Sequence, residues 1–152
     1  IGAGRALPSM MLERQGVVVG LAIAGLIPFA GTAVLAGLGF ERGLNGFLFY
    51  SLAISAFLCG SWWGIALAKT PSSDPVWLVL VLSNGLVIAS VAAVVFSSLT
   101  VALVFQALVF VVVCGAERAF KVLARAPRYY QQMRLGVTAA VAALHLGLAL
   151  AI

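Results

Sequence analysis

The stretch that decides the fold runs from Tyr50 to Gly64 and reads YSLAISAFLCGSWWG. It is mostly apolar, yet small residues recur at every fourth position, and residues four apart lie on one face of an α-helix. One stripe consists of Ala56, Gly60, Gly64 and Ala68, and a second of Ser51, Ser55 and Cys59, followed by Trp63. Because a stripe of small residues in lipid lets another helix approach closely, we predict that this segment is the central packing helix of a membrane bundle.

The composition places the rest of the chain in a membrane as well. Of the 152 residues, 64% are hydrophobic and 9% are charged, whereas soluble domains carry about 25% charged residues. Only helices and closed barrels satisfy the backbone in lipid, and the apolar runs are continuous instead of alternating, which favours helices. The sequence therefore predicts an all-α integral membrane protein with one domain over residues 1–152.

We predict five transmembrane helices, over about residues 16–38, 44–68, 76–96, 99–116 and 135–152. The uncharged run 76–116 is too long for one helix, and the cluster from Ser97 to Thr100 favours a turn. Gly16 and Gly20 form a further small-residue pair, and Pro28 predicts a kink in the first helix. Residues 117–134 are expected to form a polar loop, with Glu117 and Lys121 paired one helical turn apart.

The basic residues predict the orientation. Five spans put the termini on opposite sides of the membrane, and the side of the N-terminus then holds eight of the nine Lys and Arg residues. These eight are Arg5, Arg14, Lys69, Arg118, Lys121, Arg125, Arg128 and Arg134, and Arg42 is on the other side. Since basic residues are concentrated in inner loops, we expect the N-terminus inside and the C-terminus outside.

Three short motifs resemble transmembrane protein 69 and its bacterial relatives, a domain family of unknown function. The first consists of Tyr50, Phe57, Leu58, Gly60, Trp63 and Gly64, the second of Ile27, Pro28 and Phe29, and the third of Pro127, Tyr129, Tyr130, Arg134 and Thr138. Trp62 stands where the family usually has His or Arg, and Cys59 where it usually has Gly. The resemblance implies a five-helix protein of a bacterial or mitochondrial inner membrane and supplies no known activity.

A few polar residues inside the predicted helices are candidate functional groups. His145 is the only histidine; we expect an interhelical hydrogen bond there, and a haem or quinone contact is a weaker alternative. Asn84 and Gln106 are each expected to bond to a neighbouring helix. Glu117 and Arg134 are expected to form an ion pair at the inner boundary of the membrane.

A second group of residues is predicted to lie at the membrane interface. Trp62 and Trp63 precede the end of the second helix and fit an aromatic belt. The basic segment is expected to attract anionic phospholipid such as cardiolipin. Its interface residues are Arg118, Lys121, Arg125, Arg128, Tyr129, Tyr130 and Arg134.

The sequence contains no His-Glu-x-x-His, Gly-x-Ser-x-Gly or Walker motif and no acidic pair within a span. We therefore expect a protein without enzymatic activity, cofactor, metal or nucleic-acid partner. The leading hypothesis is an accessory or assembly subunit that packs against other membrane proteins in an inner-membrane respiratory complex. One alternative is a small carrier or channel lined by Pro28, Asn84, Gln106 and His145. Another is a lipid- or quinone-binding protein that uses the two Trp residues and the basic loop.

Overall fold

The computed structural model describes residues 15–68, 76–124 and 126–152. Within these ranges the chain forms five α-helices, each long and apolar enough to cross a membrane, and no strand. They are α1 (Gln15–Gly37), α2 (Glu41–Ala68), α3 (Val76–Phe96), α4 (Leu99–Ala119) and α5 (Arg128–Ala151). The predicted all-helical, five-span architecture is confirmed.

Helix α1 is irregular at Gly25 and regular from Leu26 to Gly37. Pro28 explains the irregularity, because proline has no N–H to donate to the carbonyl of Ala24 and its ring crowds that carbonyl. The next carbonyl, that of Gly25, accepts a hydrogen bond of 2.9 Å from the Tyr50 hydroxyl of α2. At the predicted distortion of α1, this hydrogen bond therefore joins α1 to α2.

Two helices end with the same pair of backbone hydrogen bonds, the Schellman motif. At the end of α1, Gly39 has φ 84°, and the N–H groups of Gly39 and Phe40 donate to Ala36 and Leu35. At the end of α4, Lys121 takes the equivalent position with φ 49°. A left-handed conformation costs a residue with a Cβ about 1–2 kcal/mol. Because α4 ends in this way, Glu117 and Lys121 do not continue one helix, and their expected pairing is not formed.

Helix α5 begins at Arg128, earlier than the predicted residue 135. Pro127 precedes it with φ −57°, and its carbonyl accepts hydrogen bonds from Tyr130 and Gln131. Proline is well tolerated at a helix start, because the missing N–H would have no partner within the helix there. The predicted polar loop 117–134 is therefore wrong at both ends, because α4 continues to Ala119 and α5 begins at Arg128.

The core has two clusters, one around Phe29, Phe47 and Phe110 and the other around Trp62 and Val113. Helix α2 contributes to both, but α4 is the most enclosed helix. Over its most apolar stretch 50% of the residues are buried, against 28% for α2. Each of these two helices packs against three others: α2 against α1, α3 and α4, and α4 against α2, α3 and α5. The predicted central role of Tyr50–Gly64 is therefore shared with α4.

Candidate functional site

The inward face of α2 carries the polar and small residues that meet α4 and α5. Ser51, Ser55, Cys59 and Trp62 are all at most 1% exposed. Their spacing of four, four and three residues places them on one helical face. Trp62, and not Trp63, therefore ends the second stripe.

The outward face of α2 carries the other predicted stripe. Ala56, Gly60, Gly64 and Ala68 are all exposed. A Cβ atom added at Gly60 or Gly64 would meet nothing within 4 Å, and the same holds for Gly16 and Gly20 in α1. Among the described residues, no helix makes the close approach expected at these positions. It occurs instead at Gly43, where an added Cβ would lie 2.4 Å from the backbone nitrogen of Ala36.

Deep in the bundle, His145 of α5 is hydrogen-bonded to Ser51 of α2. The distance from Nε2 to Oγ is 2.7 Å, and Nδ1 lies 2.7 Å from the carbonyl oxygen of Val141. Because a carbonyl only accepts, Nδ1 carries the proton, and Nε2 of the neutral ring accepts from the Ser51 hydroxyl. The predicted interhelical hydrogen bond of His145 is therefore present.

The surroundings of this pair decide what it does chemically. A serine hydroxyl that donates to histidine is the arrangement that activates a nucleophile in hydrolases. Here both side chains are 0% exposed. The rings of Phe29, Phe47 and Phe110 lie 5.8, 4.5 and 5.6 Å from the imidazole. The pair is enclosed by its neighbours and acts as a link between α2 and α5.

A second polar link lies at the end of the bundle where α2 and α4 finish and α5 begins. Glu117 of α4, 4% exposed, accepts from Trp62 Nε1 at 3.1 Å and from Arg134 Nε at 3.2 Å. Arg134 Nη2 forms a salt bridge with the same carboxylate. The predicted ion pair of Glu117 and Arg134 is present, and Trp62 extends it to a third helix.

Trp62 is 0% exposed, so its ring packs against other helices and does not face lipid as a residue of an aromatic belt would. Its indole nitrogen needs a partner when the ring is buried, and the Glu117 carboxylate supplies one. The signal for this placement was in the sequence, because Trp62 shares a helical face with Ser55 and Cys59. Trp63 is 42% exposed and donates to Ser83 of α3.

The other candidate residues fall into three groups. Arg118, Lys121 and Arg128 are exposed, Tyr129 and Tyr130 are half-buried, and Arg125 lies outside the described residues. Asn84 is exposed and donates to the Leu80 carbonyl of its own helix. Gln106 is 0% exposed, and neither of its amide atoms has a hydrogen-bond partner among the described residues. Within the described part of the chain, Asn84 and Gln106 therefore do not form the cross-helix bonds expected of them.

Two cavities meet at Arg134. The polar cavity, about 250 Å³, lies at the turn between α4 and α5 and is lined by residues that include Glu117, Arg118, Lys121 and Arg134. The apolar cleft, about 370 Å³, lies between α1, α2 and α5, with Tyr130, Arg134 and Thr138 as its polar residues. Neither cavity is lined by His145 or Ser51.

The described residues contain no group of three or more His, Cys, Asp or Glu side chains arranged to hold a metal ion. Cys59 and Cys114 are buried and are not joined in a disulfide. The Glu117 carboxylate already accepts from Trp62 and Arg134. Trp62, Glu117 and Arg134 therefore hold α2, α4 and α5 together.

The chain matches a known protein family. The family described as "Protein of unknown function (DUF3429)" matches residues 15–150. No curated protein and no solved structure matches the chain. Because the match covers nearly the whole sequence and all five helices, the chain belongs to the DUF3429 family.

Proposed function

We propose that the protein is a non-catalytic integral membrane subunit that binds other membrane proteins through the outward face of α2. One observation carries this proposal: α2 has two small-residue stripes, and only one of them is buried by other described residues. The inward stripe is buried against α4 and α5, while the outward stripe of Ala56, Gly60, Gly64 and Ala68 is exposed.

The outward face has the shape that helix association in lipid requires. Gly60 and Gly64 leave open space above the backbone, and the large side chains of Phe57 and Leu67 beside them are 71% and 73% exposed. Small residues let two backbones approach closely, and packing contacts drive helix association where lipid removes the hydrophobic effect. This face therefore suits a transmembrane helix of another protein.

The interior supports a role without catalysis. The Ser51–His145 pair is enclosed, and the Glu117 carboxylate is occupied by Trp62 and Arg134. A carrier would need Pro28, Asn84, Gln106 and His145 to line a common path. Pro28 and Asn84 are exposed on the outside of α1 and α3, while Gln106 and His145 are buried, so these positions favour a subunit over a carrier.

For the location we propose the inner membrane of a bacterium or mitochondrion, with the N-terminus inside and an energy-transducing complex as partner. Arg118, Lys121 and Arg128 support this orientation, because they lie at one end of the bundle and Arg42 begins α2 at the other. Labelling of Arg128→Cys and Arg42→Cys with a membrane-impermeant maleimide tests it. Arg128→Cys should react only from the inner side and Arg42→Cys only from the outer side.

Native gel electrophoresis of membranes solubilised in a mild detergent tests the proposed association. The wild-type chain should migrate in a larger complex, and Gly60→Leu with Gly64→Leu should shift it to a small free species. Gly147→Leu is the matched control, since Gly147 is also exposed with nothing within 4 Å of an added Cβ. Migration of the wild type as a small free species would overturn the proposal, as would equal effects of the α2 and Gly147 variants.

A further inference from the structure

We propose that the two cavities meeting at Arg134 form one binding site for an anionic phospholipid. The phosphate would lie in the polar cavity and one acyl chain in the apolar cleft. The cleft shares Phe57 with the outward face of α2, but the proposal rests on the charges around Arg134 and not on the proposed association with other membrane proteins.

The cleft has the chemistry and depth of an acyl-chain site. The residues of α1 and α2 that line the cleft are apolar, and so is Val141 at its deeper end on α5. Along α5 it runs from Tyr130 to Val141, which at about 1.5 Å per residue is about 16 Å. One leaflet contributes about half of a hydrocarbon core of about 30 Å. The cleft therefore runs from the boundary of the membrane to about its middle, as a chain from one leaflet does.

The polar cavity has an excess of positive charge. Arg118, Lys121 and Arg134 line it together with the single carboxylate of Glu117. Glu117 is paired with Arg134, and among the described residues neither Arg118 nor Lys121 forms a salt bridge. The one side-chain hydrogen bond of Arg118 in this part of the chain goes to the weak acceptor Cys114 Sγ. Two cations are therefore available to an anionic headgroup.

Arg134 connects the two cavities, because it lines both. Its bonds to Glu117 use Nε and Nη2. A guanidinium has five N–H donors, and Nη1 makes no hydrogen bond among the described residues. Arginine binds phosphate oxygens well, so Nη1 is available to donate to a phosphate.

Charge complementarity selects the occupant. An uncharged lipid or a quinone would fill the cleft but leave Arg118 and Lys121 without an anion, and a free phosphate would leave the cleft unfilled. A phospholipid with a net negative headgroup satisfies both parts. Basic residues near a membrane surface each contribute about 1 kcal/mol to attraction of anionic lipid.

Native mass spectrometry of the purified chain in detergent, with added phosphatidylglycerol or phosphatidylcholine, tests the proposal. The wild type should retain one phosphatidylglycerol and much less phosphatidylcholine. Arg118→Gln with Lys121→Gln should weaken phosphatidylglycerol retention roughly 30-fold. The control is Arg128→Gln, which should have little effect because Arg128 is exposed on the same end of the bundle and lines neither cavity.

A second pair of variants tests the cleft. Ala22→Phe should fill it and abolish retention of phosphatidylglycerol, whereas Ala30→Phe should not, since Ala22 lines the cleft and Ala30 is exposed elsewhere on α1. Both variants should show wild-type helix content by circular dichroism. Equal retention of the two lipids by the wild type, retention of quinone in place of phospholipid, or unchanged binding by Ala22→Phe would overturn the proposal. Competition by inorganic phosphate alone at equal concentration would also overturn it.

Discussion

Two polar links join α2 to α5, and they differ in charge and in depth. The deep link consists of Ser51 and His145, two neutral side chains enclosed by three phenylalanine rings. The boundary link consists of Trp62, Glu117 and Arg134, which come from three different helices and include two opposite charges. A polar cavity lies beside this link. Charges are costly in the middle of a bilayer, so the charged link lies at the end of the bundle and the neutral one inside.

The depth of each link also determines how it responds to the loss of one partner. Removal of the Ser51 hydroxyl loses one neutral hydrogen bond, and removal of the His145 imidazole loses two together with some packing. Removal of one ion from a buried pair leaves the other charge without compensation. We therefore expect the boundary link to be the more sensitive of the two, and four substitutions test this difference.

Glu117→Ala should have the largest effect. It leaves the Arg134 charge and the Trp62 indole N–H without their acceptor, and loss of one partner of a buried pair costs about 3–5 kcal/mol. The measurement is the free energy of unfolding in mixed micelles titrated with a denaturing detergent. Glu117→Leu combined with Arg134→Leu should recover much of the loss, and the exposed Glu41→Ala is the control. A loss for Glu117→Ala as small as that for Glu41→Ala would contradict the role of the pair.

His145→Ala should rank second. It removes the acceptor of the Ser51 hydroxyl and leaves a void between Phe29, Phe47 and Phe110, with an expected cost of about 2–4 kcal/mol. His145→Phe keeps most of the volume and should cost less in the same unfolding titration. If His145→Phe proved as destabilising as His145→Ala, the hydrogen bond and not the packing would dominate the deep link.

Trp62→Phe tests one donor of the boundary link. It keeps an aromatic ring but removes the N–H that donates to Glu117 Oε1. Hydrogen bonds to charged groups contribute about 1.5–3 kcal/mol, and we expect a loss at the lower end because Arg134 still bonds the carboxylate. Trp63→Phe is the matched control on the same helix, since Trp63 donates to the neutral Ser83 and is partly exposed. Equal losses of unfolding free energy for the two variants would show that the charge of Glu117 does not strengthen its hydrogen bond with Trp62.

Ser51→Ala should have the smallest effect of the four. It removes one neutral interhelical hydrogen bond, and such bonds in membrane bundles average about 0.6 kcal/mol. The control is Ser61→Ala, because the Ser61 hydroxyl donates to the Leu58 carbonyl of its own helix. A loss for Ser51→Ala larger than that for Trp62→Phe would reverse the proposed order of the two links.

Several parts of this architecture were predictable because they follow from local chemistry. The turn between α3 and α4 follows from Ser97 and Ser98, and Ser98 caps α4 by accepting from the Val101 N–H. The irregularity of α1 follows from Pro28. The start of α5 was missed because Arg128 and Arg134 suggested a loop, although Pro127 is a favourable residue directly before a helix.

The candidate site was predictable only in part. A lone histidine inside an apolar helix needs a partner, which predicts the bond of His145 but not that Ser51 supplies it. Glu117 and Arg134 flank one turn, so their pairing was expected. The link to Trp62 was not, because residues 62 and 117 are distant in the chain and only helix packing brings them together.

The sequence by itself determined that the described part of the chain forms five helices long and apolar enough to cross a membrane, because long apolar runs must satisfy their own backbone hydrogen bonds in lipid. The tertiary structure alone decided which face of each helix is buried. Both stripes of α2 are compatible with close packing, and the polar partners on α4 and α5 select the one with Ser51, Ser55, Cys59 and Trp62. In lipid, hydrophobicity does not distinguish the inside of a bundle from the outside, so the directional bonds of a few polar side chains orient α2.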